Sequence, residues 1–118
     1  MFTWNNPPPE YCDGDLPAQP AVCPVRYASW QREVGASGTE HLQGYAEFAA
    51  PVRLSAVRQW LSSSVHWEPR KGTREEARDY SRKDDSRAAG PWELGSFQLG
   101  GQVSALTLLL RLLLRGTF

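Results

Sequence analysis

The sequence predicts an α+β domain, an antiparallel sheet with helices packed on one face. Three observations predict it. Two stretches of period-two alternation, Arg26 to Glu33 and Glu40 to Ala49, flank the turn-rich Gly35-Ala36-Ser37-Gly38, which is the pattern of a hairpin. Helical spacing takes over downstream, first at Leu54, Val57 and Leu61 and again after Thr73. At 118 residues, 41% of them hydrophobic, the chain is long enough for one core without staples. Strands joined by short antiparallel links and mixed with helices select a layered sandwich.

Taken in order, Phe2 to Asn5 reads as a short strand, with Phe2 and Trp4 on one face and Thr3 and Asn5 on the other. Pro7-Pro8-Pro9 ends it. Glu10 to Pro24 lacks periodicity and reads as an irregular acidic loop with room for one turn. The hairpin follows. Arg53 to Leu61 is a helix whose start carries no cap. Ser64 to Glu68 is a third strand, with Val65 and Trp67 toward the core and His66 and Glu68 toward solvent or a ligand. Thr73-Arg74-Glu75-Glu76 is a capping box, Thr73 receiving the backbone of Glu76 and Glu76 reaching back. That helix runs to about Lys83. Pro91 to Phe97 adds an edge strand, where a proline is tolerated.

Thirteen basic and thirteen acidic residues cancel, which excludes a polycation that coats nucleic acid indiscriminately. The distribution is uneven. No Lys or Arg precedes Arg26, and seven of the thirteen lie between Arg70 and Arg87. Such a zone suits a groove that follows a phosphate backbone. It also suits a solvated helix face, because Glu75, Glu76, Asp79, Asp84 and Asp85 interleave with it. Cys12 and Cys23 sit in the proline-rich loop without zinc spacing. No basic-then-apolar leader marks the chain as secreted, so reduced thiols are expected. Val103 to Phe118 is leucine-rich, too short to span a bilayer and interrupted by Arg111 and Arg115. It is expected to be a docked or self-associating helix, or a sequence not selected for this fold at all, after a domain ending near Gln102 and with no membrane role.

The residues able to carry chemistry share strand faces. His41, Gln43, Tyr45 and Glu47 point to one side, and Leu42, Ala46 and Phe48 to the core. One imidazole, one amide oxygen and a carboxylate from the neighbouring strand make a hard site that suits Mg²⁺ or Mn²⁺. Glu33 is the candidate carboxylate, since pairing across the hairpin brings it near His41. Glu40 is the rival, adjacent in sequence but on the other face. Tyr80 and Lys83 lie three apart, one helical turn. A phenol is a weak nucleophile at neutral pH, and a divalent ion on the scissile phosphate lowers the demand on it. Asn5 and Asn6 either contact bases and phosphates or simply end a strand before Pro7. Arg70 and Lys71 suit phosphate contacts. His66 and Glu68 share a face and form a second, weaker metal-like pair.

In order and spacing, Phe2-Thr3-Trp4-Asn5-Asn6, His41-Leu42-Gln43-Gly44 and Tyr80-Ser81-Arg82-Lys83 resemble the three motifs of the replication initiator (Rep) proteins of circovirus-like and geminivirus-like circular single-stranded DNA viruses. Those proteins carry an HUH-type nicking endonuclease of ferredoxin-like or RNA-recognition-like fold. Val65 to Thr73 and Gly95-Ser96-Phe97-Gln98 extend the resemblance, which covers Phe2 to Gln102. It implies a metal held by His41, Gln43 (where the second HUH histidine is often Gln) and Glu33, with Tyr80 as nucleophile and Lys83 supporting the phosphate. It further implies single-stranded DNA of a stem-loop origin as partner, contacts from Asn5, Asn6, Arg70 and Lys71, and a host-cell nuclear location. The expected activity is origin nicking and rejoining through a 5′-phosphotyrosine, to start rolling-circle replication.

The chain departs from that family in three places. Met1-Phe2 begins almost inside the first motif, which is expected to shorten a strand and weaken the sheet. The leucine-rich tail does not look like the usual continuation. No G-x-x-x-x-G-K-[ST] loop occurs, so the helicase half is expected to be absent and the chain to be a nuclease domain, a truncated product or a fragment. The alternative function is a non-catalytic module, or a decayed initiator, that binds single-stranded nucleic acid by stacking and charge.

Overall fold

A computed structural model of the chain describes residues 1–98. The expected boundary near Gln102 and the leucine-rich tail lie outside the described residues. Along the chain run β1 (Phe2–Asn5), a 3-10 turn (Pro9–Tyr11), β2 (Val25–Val34), β3 (Glu40–Phe48), α1 (Leu54–Val57), β4 (His66–Trp67), α2 (Arg74–Tyr80) and β5 (Arg87–Gly95). The strands form one sheet in the order β4-β1-β3-β2-β5, with every pairing antiparallel. The architecture is the α+β sheet that the alternation predicts.

One face of the sheet is aromatic. Phe2 and Trp4 of β1, Ala28 and Trp30 of β2 and Leu42 of β3 pack with Trp60, Leu61 and Val65, all nearly inaccessible. The proline-rich loop closes over them, with Cys23 buried and the Trp60 indole donating to the Pro17 carbonyl at 2.9 Å. Cys12 and Cys23 are both free thiols. Gly44 belongs to this face: a Cβ there would lie 2.1 Å from the Phe2 ring, directly across the β1–β3 register. The glycine of His41-Leu42-Gln43-Gly44 thus makes room for the core.

The helices do not share a face. Leu61 and Val65, just after α1, and Ala56 within it pack on the aromatic side, whereas Ala77 of α2 is buried against Tyr27 and Tyr45 on the other. Period 3.6 shows that a helix buries a stripe without showing which side of the sheet receives it. Here β4 is one edge and β5 the opposite edge, so the connection carrying α2 must cross a face. The aromatic face is already covered.

Three boundaries also shift. Helix α1 is a single turn, and Arg53 supplies no side-chain cap. Helix α2 ends at Tyr80, leaving Ser81 to Lys83 as a turn. Strand β5 starts at Arg87 rather than Pro91 and carries the cis Gly90–Pro91 bond, tolerated because that edge has no further partner among the described residues. Short as it is, β1 is anchored at its first residue: the Met1 amine donates to the Glu68 carbonyl at 2.7 Å, and Glu68 N–H donates back at 3.0 Å.

Candidate metal and nucleophile site

The polar face of the sheet is built by register. Glu33 pairs with His41 and Gln31 with Gln43 across β2–β3, while Asn5 pairs with His41 and Thr3 with Gln43 across β1–β3. Three strands therefore lay Asn5, His41 and Glu33 in one row, and Thr3, Gln43 and Gln31 in the next. Glu33 is 1% exposed and Gln31 fully buried. A buried carboxylate is costly unless its oxygens are compensated. Here Glu33 Oε1 lies 3.0 Å from His41 Nε2 and 3.4 Å from Lys83 Nζ, and Oε2 accepts from Gln31 Nε2 at 2.7 Å. Gln43 is oriented by two bonds, its Oε1 accepting from Thr3 Oγ1 at 3.1 Å and its Nε2 donating to the Phe2 carbonyl at 3.2 Å.

Helix α2 delivers the second half. Its capping box forms as the sequence predicts: Thr73 Oγ1 accepts from Glu76 N–H at 3.1 Å, and Glu76 accepts from Thr73 N–H at 3.0 Å. At the far end Ser81 Oγ donates to Ser29 Oγ at 3.1 Å, and Gln31 Nε2 donates to the Lys83 carbonyl at 2.8 Å. The turn after α2 is thereby fastened to β2. Tyr80 stays about half exposed. Lys83 Nζ lies 5.0 Å from the centroid of the Tyr80 ring and donates to Ser86 Oγ at 3.0 Å. One ammonium group thus links the tyrosine to the Glu33–His41 pair.

Among the described residues no three His, Cys, Asp or Glu side chains converge as a metal cluster. The donor set here is one imidazole, one carboxylate and the amide oxygen of Gln43. It fits a small hard cation: donors bonded at roughly 2.1 Å in neighbouring octahedral positions lie roughly 3 Å apart. The Glu33–His41 separation of 3.0 Å matches that edge.

Other residues singled out by sequence fall elsewhere. Glu40 pairs with Val34 on the opposite face and binds Arg32 at 2.8 Å, so it does not join His41. Asn5 is exposed beside His41. Asn6 has φ 50°, a left-handed conformation that asparagine tolerates, and its N–H donates to the Glu40 carbonyl at 2.8 Å. A strand-ending role for Asn6 follows from that backbone alone. Arg70 and Lys71 are exposed before the N-terminal end of α2, while Tyr80 stands at its C-terminal end. Arg70 lines a cavity of about 490 Å³ with Tyr45, Glu47, Trp67 and Arg74, and none of the candidate metal or nucleophile residues borders it. His66 and Glu68 form an exposed pair 3.6 Å apart. All five tryptophans are buried or half-buried, so none stands free on the surface to stack on bases.

Tyr45, on the strand face of His41 and Gln43, is 3% exposed and donates its hydroxyl to Glu47. Burial and then that carboxylate push its phenol up to about 12. Burial would raise Glu47 as well, but bonds from Arg74, Tyr45 and Arg26 outweigh it and hold the carboxyl down at about 2. This cluster, with Arg26 Nη2 and Arg74 Nη2 each 2.9 Å from Glu47 Oε1, seats the start of α2 on the sheet. Sequence reasoning passed over Thr3, Ser29 and Gln31 as positioning groups. Period two applied to β2 as it was to β3 would have put Ser29 and Gln31 on the face of Glu33.

Comparison with known proteins bears on this geometry. A family model described as "Putative viral replication protein" matches residues 1–84, a span that includes every candidate metal and nucleophile residue. The chain is 41% identical over 99 residues to the Master replication protein of Banana bunchy top virus, covering 84% of this chain and 32% of that protein. It is 38% identical over 96 residues to the Master replication protein of Milk vetch dwarf virus, covering 81% and 30%. It is also 41% identical over 71 residues to Para-Rep C1 of Faba bean necrotic yellows C1 alphasatellite, covering 60% and 25%. The chain spans about a third or less of the length of these relatives.

Proposed function

This chain belongs to the viral replication protein family, and from that premise we propose that it is a metal-dependent endonuclease and ligase for single-stranded DNA. It opens a stem-loop origin and so initiates rolling-circle replication. The observation that carries this reading is the position of Lys83 Nζ, 3.4 Å from Glu33 Oε1 and 5.0 Å from the Tyr80 ring. A half-exposed phenol, a cation and a buried carboxylate paired with a partly exposed histidine stand together at the end of α2. Glu33, His41 and Gln43 would hold Mg²⁺ or Mn²⁺. When bound, the ion supplies Lewis-acid polarisation of a phosphate oxygen.

The chain's own groups do the rest. Tyr80 Oη attacks phosphorus, the bond from phosphorus to the 3′-oxygen breaks, and the phenolic proton passes by way of water to that leaving oxygen. The products are a 5′-phosphotyrosine and a free 3′-hydroxyl. Phosphate-ester energy is conserved, so attack by a 3′-hydroxyl on the same adduct rejoins the strand and restores Tyr80. Lys83 steadies the developing negative charge. Asn5, beside His41, and Arg70 and Lys71 contact the DNA strand to either side. The work is done in the host nucleus.

The test is incubation with Mn²⁺ and single-stranded oligonucleotides carrying stem-loop origin sequences. The expected result is a denaturant-resistant mass increase of the protein by the 5′-phosphorylated fragment. Reversible, salt-sensitive binding with no adduct would instead favour a non-catalytic single-strand-binding module.

A further inference from the structure

Gln31 is the most deeply placed polar side chain at the site. It is fully buried at the middle of β2, two residues before Glu33 and on the same face. Its amide nitrogen donates at 2.7 Å to Glu33 Oε2 and at 2.8 Å to the Lys83 carbonyl. Both neighbours can only accept, Glu33 as a carboxylate and Lys83 through its backbone oxygen. The amide orientation is therefore dictated: nitrogen toward them, oxygen away. Among the described residues that leaves Gln31 Oε1 buried without a donor. A buried amide oxygen left unpaired costs stability. A strand position that merely needed filling would be served better by Val or Ile, which pack there at no such cost.

We infer that Gln31 is a positioning residue of the metal site. Its nitrogen locks the Glu33 carboxylate and the Lys83 backbone into one unit. The inference rests on the metal reading above and adds a residue to it. One side chain sets the distance between the carboxylate that would hold the ion and the segment that carries Tyr80 and Lys83. Groups that orient metal ligands in this way typically change affinity about 10- to 100-fold when removed.

The test compares Gln31→Met, which keeps length and loses both polar atoms, with Gln31→Asn, which keeps the amide but is one methylene too short to bridge. Val65→Ala serves as a structural control, in the aromatic core on the opposite face. Free Mn²⁺ is titrated against each full chain by electron paramagnetic resonance, alongside melting temperature. Expected is a loss of Mn²⁺ affinity of about tenfold or more for Gln31→Met, a smaller loss for Gln31→Asn, and wild-type affinity for Val65→Ala even where its melting temperature falls. Wild-type Mn²⁺ affinity in Gln31→Met overturns the inference alone. If Gln31→Met does not fold, undiminished affinity in Gln31→Asn overturns it equally. A wild-type chain that takes up no Mn²⁺ overturns the metal reading itself, and that failure is distinguishable because it appears without any substitution.

Discussion

The two faces of the sheet are made by the same strands and obey opposite rules. On one, Phe2, Trp4, Trp30 and Leu42 pack with Trp60, Leu61 and Val65. On the other, the next residues along each strand bury Ser29, Gln31, Glu33, Gln43 and Glu47. Apolar burial stabilises at about 25 cal/mol per Å², whereas every buried polar group must find a partner or cost more than it contributes. The first face explains why the chain folds. The second is expensive to build, and on it the Glu33–Lys83 pair leads to a tyrosine left half exposed.

The sharpest way to test that division is Tyr80→Phe. Only a surface hydroxyl is lost, so melting temperature should stay within the small range of surface changes, about 0.5 kcal/mol. Covalent adduct with an origin oligonucleotide should vanish, as read by denaturing electrophoresis. An adduct that persists would remove Tyr80 from the mechanism, and Tyr45 would be a poor replacement because it is buried with its phenol pushed up to about 12.

His41→Ala should come next in size. It removes the proposed imidazole donor while leaving Leu42 and the aromatic face untouched. Adduct formation in Mn²⁺ should fall by about two orders of magnitude or more, and chelation should abolish it in the wild type. Cleavage unchanged in EDTA would end the metal-assisted reading. The aromatic face should answer in the other sense: Leu42→Ala, at a fully buried position, should lower stability by about 2–5 kcal/mol by thermal or urea unfolding. Adduct formed per folded molecule should be preserved. Loss of chemistry at full stability would mean that the faces are coupled and the division wrong.

Much of this was legible in the residues. Alternation separated His41, Gln43, Tyr45 and Glu47 from Leu42 and Phe48, and the four residues Gly35 to Gly38 set the hairpin so that Glu33 meets His41. The capping box at Thr73 located the helix that ends at Tyr80. What was not legible depended on distant parts. The side of the sheet that α2 occupies follows from β4 and β5 being opposite edges, which no local pattern encodes. Strand β5 reads poorly because Arg87-Ala88-Ala89-Gly90-Pro91 has weak strand propensity and is held by pairing with β2. Gln31 looks like any polar strand residue until α2 and its turn cover it.

The smallest expected effect concerns how the polar face is held together away from the chemistry. Glu47 is buried, and the bonds from Arg74, Tyr45 and Arg26 overcome the burial to hold its carboxyl at about 2, against an ordinary 4.5. A carboxyl depressed in the folded state contributes stability that is fully present above its ordinary value and is lost as pH falls through its folded value. For Glu47 that window runs from about 4.5 down to about 2. Glu47→Gln keeps the shape and removes the charge. The variant should melt lower than wild type at neutral pH, and its melting temperature should fall less steeply across that window, so that the two curves approach each other toward pH 2. Glu93 and Glu76 are also held below the ordinary range, Glu93 first by the Tyr27 hydroxyl and Glu76 by the Thr73 backbone, so some acid sensitivity remains in both proteins. Only the difference between the curves belongs to Glu47. Parallel curves over the whole window would show that the arginine pairing contributes nothing to seating α2. The start of that helix would then be held by Ala77 against Tyr27 and Tyr45, by apolar packing like that of the opposite face.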